Sequence, residues 1–167
     1  EQDTVFEALS KDIDICMLMH RRYEKDYLLN IGNPEKQLKY RDKLAAQSKL
    51  MQEMLDQLIA LALRDDDLDR ELRSRIQELP AHYEVYLGGL LGVLDAVDAN
   101  GSMTPQEANT LMLPFKESIY VLEDDVAVVS AAGREMLGMT WRNPRSNRKS
   151  PPGSSSLPWL WGALQGS

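Results

Sequence analysis

Residues suited to a buried core recur at alternating intervals of three and four along most of this chain. In the first stretch these positions are Phe6, Leu9, Ile13, Cys16, His20, Tyr23 and Tyr27. This spacing lines side chains along one face of an α-helix and is typical of helices that pack at shallow angles. Three further stretches follow the same rule, and each is long enough for a helix of roughly 40 to 50 Å.

Three short breaks separate the stretches, near residues 31–34, 64–67 and 99–104. In the first break, Gly32 suits the end of one helix and Asn33 suits the cap of the next, with a proline directly after it. The second break reads Arg-Asp-Asp-Asp, a polar turn whose aspartates can cap the third helix. In the last break, Thr104 and Glu107 have the spacing of a capping box. These signals predict four helices joined by short turns.

Two prolines fall inside the predicted helices. Because proline lacks a backbone N–H, we expect Pro80 to kink the third helix and Pro114 to bend the fourth near its start. The core-facing positions of the fourth helix are expected to be Ala108, Leu111, Phe115, Leu122, Val126, Val129 and Met136. Strand signals do not occur in the sequence. The pattern therefore predicts an all-α fold, an antiparallel up-down-up-down four-helix bundle formed by residues 1–139.

The character of the chain changes after about residue 140. The segment WRNPRSNRKSPPGSSSLPWLWGALQGS is rich in serine and proline, carries all three tryptophans and has no helical period. We therefore expect residues 140–167 to form an irregular or disordered tail. Two interpretations stay open: the tail was added with an expression vector, or it is a native segment that binds a membrane surface or a partner.

Composition restricts the class of function. With 167 residues, of which 43% are hydrophobic, the chain is long enough for one domain with a sizeable core. A net charge of −7 and a pI near 4.9 argue against nucleic-acid binding. The single Cys16 cannot form an internal disulfide, and neither histidine has the Glu-x-x-His context of a di-iron bundle. We therefore expect no cofactor, no metal and no enzymatic activity.

One stretch collects basic residues although the chain is acidic overall. Residues 20–41, HRRYEKDYLLNIGNPEKQLKYR, contain six lysines and arginines against three acidic residues. Arginine forks pair with carboxylates and tyrosine rings supply aromatic walls, so this stretch indicates a site for a small anionic metabolite. Counting helical rise brings part of the fourth helix to the same level. The candidate ligand-binding residues are Arg21, Arg22, Tyr23, Lys25, Tyr27, Arg41, Asn109 and Thr110.

Arg41 is the strongest of these candidates. It lies on an otherwise apolar helix face, where leaving a charge unpaired costs several kcal/mol, so it must find an anion or a carbonyl. Ordinary ion pairing along the helix explains Arg21 and Arg22 equally well. The tyrosines also fit core positions with a satisfied hydroxyl group. We expect His20 to be a core histidine with its hydrogen bonds satisfied.

Several of these features resemble a known family. They are the run RRYEKDYLL in the first helix, a Gly-Asn turn, the pair Tyr83 and Tyr86, and an Ala-Asn fourth helix with an early proline. Over roughly residues 1–139 they resemble the periplasmic helical-bundle sensor domains of methyl-accepting chemotaxis receptors, of the four-helix and helical-bimodular types. The bimodular type stacks two bundles, whereas this chain has the length of one.

The resemblance implies a ligand-sensing domain between two transmembrane helices of an inner-membrane chemoreceptor. Such domains form homodimers, bind a small metabolite and transmit a helix displacement across the membrane, and similar domains use first-helix arginines for acid ligands. The chain lacks a run of 18 apolar residues and a signal peptide, as expected of a piece excised from such a receptor. Two alternatives stay open: the sensor of a histidine kinase or cyclase, and a helical interaction or dimerisation module without a ligand.

Overall fold

The computed structural model of the protein describes residues 2–136 and 138, and the predicted tail from residue 140 lies outside them. The described residues form five α-helices and no strand, which confirms the all-α fold. The helices are α1 (Gln2–Leu29), α2 (Pro34–Arg64), α3 (Arg70–Ala99), α4 (Pro105–Leu111) and α5 (Leu113–Met136).

The turns between α1 and α2, α2 and α3, and α3 and α4 lie at or directly beside the three predicted breaks. Gly32 has a φ of 89°, a backbone conformation that glycine adopts without strain, and it turns the chain between α1 and α2. The Asn33 side chain accepts a hydrogen bond from the first turn of α2. The cap of α3 is Asp69 and not an aspartate of the predicted Arg-Asp-Asp-Asp turn, and its side chain accepts a hydrogen bond from the Glu71 N–H. Thr104 and Glu107 bond reciprocally in a capping box at the start of α4. Local side-chain chemistry therefore fixes each turn.

The predicted fourth helix is divided at Met112 into α4 and α5. Pro114 cannot donate a backbone hydrogen bond to the preceding turn, and the Phe115 N–H instead donates to the Met112 carbonyl at 3.0 Å. The interruption determines which residue faces inward, because Met112 is fully buried whereas Leu111 is exposed. The prediction of Leu111 as a core residue is therefore wrong. Helix α3, in contrast, runs unbroken through Pro80.

Contacts between helices give their relative direction. In α1 and α2, Cys16 lies level with Gln47, whereas Tyr27 lies level with Gln37. The residue numbers of α1 and α2 thus run in opposite senses. The same reversal relates α5 to α1 and to α3. Between α1 and α5, Ser10 contacts Ser130 and Arg21 contacts Glu123. Between α3 and α5, Arg75 contacts Asp125 and Gly89 lies against Phe115. These contacts show opposite directions for the pairs α1–α2, α1–α5 and α3–α5.

The core lies along the axis of the bundle and contains several polar side chains. Most of it is aliphatic, but Tyr27, Tyr83 and Tyr86 are among its largest fully buried residues, and His20 is buried beside Tyr83 and Tyr86. Phe115 of α5 lies directly over Gly89 of α3, where a Cβ atom would meet the phenyl ring at 2.3 Å. The polar residues divide into a central network and a cluster at one end.

Candidate functional site

The central polar network consists of Cys16, His20, Glu24, Tyr83 and Tyr86. The His20 Nδ1–H donates to the Cys16 carbonyl at 2.8 Å, and in the neutral imidazole this leaves Nε2 to accept from the Tyr83 hydroxyl at 2.7 Å. Burial lowers the pKa of His20, which favours the neutral imidazole that this arrangement needs. Burial also raises the pKa of Tyr83 to about 12, which keeps the phenol protonated as a donor.

The other half of the central network reaches toward the surface. The Tyr86 hydroxyl donates to Glu24 Oε2 at 3.0 Å, and burial raises the pKa values of both Tyr86 and Glu24. Beside them, Arg21 Nη1 donates to Glu123 Oε1 at 2.5 Å, which links α1 to α5. Each of these polar groups bonds to another group of the protein. Because these hydrogen-bonding groups are already satisfied within the protein, the central network stabilises the fold and leaves no group directed at a ligand.

A second cluster lies at the distal end of the bundle, where the α1–α2 turn meets the end of α3. Arg41 links α2 to α3: its Nε donates to Asp98 Oδ2 at 2.9 Å and its Nη2 donates to Asp95 Oδ1 at 2.7 Å. The buried Tyr27 donates its hydroxyl proton to Asp98 Oδ1 at 2.5 Å and accepts from Gln37 Nε2 at 3.1 Å. The cluster thus joins α1, α2 and α3.

Beside this cluster lies the distal cleft, a cavity of about 360 Å³. Its polar lining residues are Gln37, Arg41 and Asp98. Its apolar walls come from the α1–α2 turn, the first turns of α2 and the end of α3. They are Ile31, Pro34, Leu38 and Val97. An apolar wall with a few convergent polar groups is the composition of a small-molecule site, and the volume suits a ligand of metabolite size.

The opposite end of the bundle has a larger cavity, the basal groove, of about 760 Å³. It lies between the α2–α3 turn, the first turns of α3 and the last turns of α5. Acidic residues dominate its polar lining, in contrast to the distal cleft. The bundle therefore carries one candidate site at each end.

The three candidate arginines point to different surroundings. Arg41 lines the distal cleft, Arg21 faces Glu123 of α5, and Arg22 points outward with its side chain 71% exposed, 3.9 Å from Asp26. They do not share one cavity. The partner that Arg41 was expected to require is present as a pair of aspartates in α3.

The remaining candidate ligand-binding residues also lie in different parts of the bundle. Tyr27 is bonded to the distal cluster through Asp98. Tyr23 is half-buried beside Tyr40, and the Lys43 ammonium lies 5.0 Å from the Tyr23 ring centroid. The other predicted residues, Lys25, Asn109 and Thr110, are exposed on the surfaces of α1 and α4. Only Tyr27 and Arg41 of the eight predicted residues therefore belong to the distal site.

The prediction missed Gln37, Asp95 and Asp98. A signal was present, because Asp95 and Asp98 are three residues apart and so share one face of α3 near its end. The antiparallel order of the helices brings the end of α3 beside the start of α2, where Arg41 lies. Pairing the lone arginine with this acidic pair would have identified the cluster.

Comparisons with family models, with curated proteins and with solved structures found no match to this chain. None of the helices between residues 2 and 136 is both long and apolar enough to cross a membrane. Within the described residues, His, Cys, Asp and Glu side chains do not gather into a group of three or more that could hold a metal ion.

Proposed function

We propose that the chain is the extracytoplasmic ligand-sensing domain of a bacterial transmembrane chemoreceptor. The distal cleft binds a small metabolite that carries a carboxylate group, and the domain passes the binding event along its helices. The domain would be the periplasmic part of an inner-membrane protein, attached to the membrane through helices outside this sequence. The observation that carries the proposal is Arg41, an arginine on a core-facing position that opens into a cavity of metabolite size.

Arg41 can exchange partners because its bonds lie near the surface. The Asp95 and Asp98 side chains are 73% and 45% exposed, so either carboxylate can rotate into water when a ligand takes its place. Ion pairs of this exposure contribute about 0.2 to 1 kcal/mol, which a charge-assisted bond to a bound carboxylate can offset. The arginine is thus held in position without being permanently occupied.

The charges of the cluster favour a zwitterion over a dianion. One guanidinium group faces two carboxylates, so a second negative group on the ligand would be repelled, whereas an ammonium group would be attracted. An α-amino acid meets both requirements: its carboxylate pairs with Arg41, its ammonium group pairs with Asp98, and its side chain contacts the wall formed by Leu38 and Val97. Among carboxylate-bearing metabolites, we therefore propose an amino acid as the ligand class.

The cluster also offers a route by which binding alters helix positions. Asp98 bonds to both Arg41 of α2 and Tyr27 of α1. A ligand ammonium group that draws Asp98 into the cleft weakens its bond to Tyr27 and frees α1 to move relative to α3. A shift of about 1 to 2 Å is the size of displacement that packed helices transmit.

Thermal unfolding of the purified chain against a ligand panel tests the proposal. The panel contains the α-amino acids, the matching decarboxylated amines and a set of dicarboxylates. A ligand that binds only the folded state stabilises it by about 2.7 kcal/mol at a concentration of 100 times Kd. We expect stabilisation by one or a few amino acids and none by their amines. Stabilisation by no member of the panel contradicts the sensing function.

The second candidate function is that of a helical interaction module without a ligand. It is favoured by exposed apolar side chains on the outer face of α1, where Ile15, Leu18 and Leu29 lie within one helical stripe. A homodimer through this face is compatible with either function. Sedimentation of the wild type and of a Leu18→Lys variant distinguishes a dimer through α1 from a monomer, and the ligand panel distinguishes the two functions.

A further inference from the structure

Part of the basic stretch identified in the sequence lies outside the distal cleft, on the outer surface between α1 and α2. There the half-buried rings of Tyr23 and Tyr40 approach each other, with their centroids 6.4 Å apart. The Lys43 ammonium lies 5.0 Å from the first ring centroid and 5.8 Å from the second. The Lys39 ammonium lies 6.0 Å from the centroid of the Tyr40 ring. These four residues and Lys36 form a surface that we call the α1–α2 strip.

Helical spacing extends the strip along α2. Lys36, Tyr40 and Lys43 are separated by four and then three residues, so their side chains leave the helix on one face. Arg41 instead faces α3 and lines the distal cleft. The strip and the cleft therefore lie on different sides of α2 and share no lining residue, and binding at the strip does not rest on the sensing proposal.

The lysines of the strip keep their positive charge unpaired in the described part of the chain. The ion pairs found there are formed by arginines and by His82, and none of them involves a lysine. Lys43 is attracted instead to the faces of two aromatic rings. This contact orients the ammonium group without neutralising it, so its charge can pair with an anion from outside the chain.

The hydroxyl groups of the strip differ from those of the core tyrosines. Tyr27, Tyr83 and Tyr86 each donate to another side chain. Among the residues that the structure describes, the hydroxyl groups of Tyr23 and Tyr40 form no hydrogen bond to the protein. A half-buried phenol offers its ring to an apolar contact and its hydroxyl to an acceptor, and tyrosine is enriched in protein interfaces for this reason.

We propose that the α1–α2 strip binds an acidic segment of a partner protein. Carboxylates of the segment pair with Lys39 and Lys43 and accept hydrogen bonds from the two phenol groups, while its aliphatic stems contact the tyrosine rings. Opposite charges that meet across an interface speed association and select the partner. The strip thus combines a charge that needs an anion with rings that need a covering surface.

The surroundings of the strip favour a protein segment over a more extended anion. Glu35 and Asp42 are exposed and adjoin Lys36 and Lys43 in the sequence, and the whole chain has a net charge of −7. A nucleic acid or an anionic bilayer carries negative charge along its whole surface and would also meet these carboxylates. A protein segment can place its carboxylates on the lysines alone.

Fluorescence anisotropy of a labelled peptide tests the proposal on the full chain. The probe alternates glutamate with serine, and its control has glutamine in place of each glutamate. In about 0.01 M salt, where the Debye length is about 30 Å, we expect the chain to bind the glutamate peptide and not the glutamine peptide. In about 1 M salt, where the Debye length is about 3 Å, binding should be lost.

A matched pair of charge reversals locates the binding surface. Lys43→Glu places a negative charge beside the two rings, whereas Lys49→Glu makes the same change at an exposed residue of α2 outside the strip. Both variants have the same net charge. Because like charges repel across an interface, Lys43→Glu should bind the glutamate peptide about tenfold more weakly than Lys49→Glu does.

A second variant tests the tyrosines. Tyr23→Phe combined with Tyr40→Phe removes two hydroxyl groups that the described fold does not use, so the helices should stay intact by circular dichroism. The double variant should bind the glutamate peptide severalfold more weakly than the wild type. Tyr120→Phe, which alters an exposed tyrosine of α5, should bind as the wild type does.

Several results would overturn the proposal. The glutamate peptide does not bind, the two charge reversals weaken binding equally, or the double phenylalanine variant binds as tightly as the wild type. Two further probes test the other anions: a single-stranded thymidine oligonucleotide, and vesicles of phosphatidylglycerol and phosphatidylcholine in equal parts. Tighter binding of either probe than of the peptide would assign the strip to a nucleic acid or to a membrane surface.

Discussion

The centre of the bundle and its distal end use similar residues in different ways. In the centre, His20 and Tyr83 are buried, bonded to each other and closed in by packing that leaves no room for a Cβ atom at Gly89. At the distal end, Arg41 is bonded to carboxylates that reach water, and a Cβ atom at Gly101 would meet nothing within 4 Å. Both regions interrupt an apolar helix face with polar groups, but only the distal one leaves space beside them.

The difference shows that a polar residue on a core position is not by itself a sign of a binding site. In the closed centre, each hydrogen-bonding group already has a partner, and removing one leaves the other unsatisfied in the core. At the open end, the same kinds of group can change partners at low cost in free energy, because a displaced carboxylate forms hydrogen bonds to water instead. Substitutions in the two regions should therefore have opposite consequences for stability and for binding.

The largest expected effect on stability comes from Tyr83→Phe in the centre. The change removes one oxygen atom and leaves the buried Nε2 of His20 without its donor, so unfolding should cost about 1 to 3 kcal/mol less. Tyr120→Phe is the matched control, because Tyr120 is exposed, and it should change stability by less than about 0.5 kcal/mol. Urea unfolding measures both. Equal effects would mean that the central hydrogen bond is not formed.

Gly89→Ala tests how tightly the centre is packed. Its new methyl group would meet the Phe115 ring, and overpacking of this kind destabilises a protein by about 1 to 3 kcal/mol, partly offset by the better helix propensity of alanine. At Gly88, one residue away in the same helix, nothing lies within 4 Å. Gly88→Ala should therefore stabilise the fold by up to about 1 kcal/mol. If both variants are stabilised, α5 does not lie over Gly89.

The pH dependence of stability should reveal the neutral His20. Because its pKa in the folded chain is below 6.5, the unfolded chain binds more protons as the pH falls through that value. Stability attributable to His20 is therefore present above the unfolded pKa and is lost below it, by at most about 1.4 kcal/mol per pH unit. Glu24 acts in the opposite direction at lower pH, since its raised pKa makes the folded chain take up a proton above 4.5.

Proton NMR separates these two contributions. A His82→Gln variant leaves His20 as the only imidazole in the chain. Its ring signal should titrate with a midpoint below 6.5 in the folded protein and near 6.5 in urea. A midpoint at or above 6.5 in the folded protein would contradict a buried, neutral His20.

The smallest effect on stability is expected at the distal end. Arg41→Ala removes two ion pairs whose aspartates are partly exposed, so the loss should be within about 1 kcal/mol. Arg22→Ala, with its outward side chain, should have no measurable effect. A loss of several kcal/mol at Arg41 would mean that the arginine is a structural residue like those of the centre.

The sequence was sufficient to predict most of the fold. Periodicity predicts the helices because burial of one face repeats with the helical turn, and the caps at Asn33 and Thr104 are local. Leu111 was assigned to the wrong face because the interruption at Met112 changes the register, and periodicity assumes an unbroken helix. The all-α fold follows from local patterns, whereas the register of one helix segment depends on how Pro114 and Phe115 pack.

The site was predicted less completely, for a different reason. Arg41 stands out because it is a charge on an apolar face, but Asp95 and Asp98 resemble ordinary surface residues of α3. Their role depends on the order of the helices and on side-chain direction, which spacing within one helix does not give. Arg21 and Arg22 are adjacent in sequence and face different surroundings for the same reason.

Isothermal titration calorimetry on three proteins tests the central claim most directly: the wild type, Arg41→Ala and Arg22→Ala. The titrant is the amino acid that gives the largest thermal stabilisation in the panel. If Arg41 holds the ligand carboxylate, losing a charge-assisted bond of roughly 1.5 to 3 kcal/mol should weaken binding about ten- to a hundredfold in Arg41→Ala. Arg22→Ala should bind as the wild type does. Equal affinity in all three proteins would show that the ligand does not bind in the distal cleft.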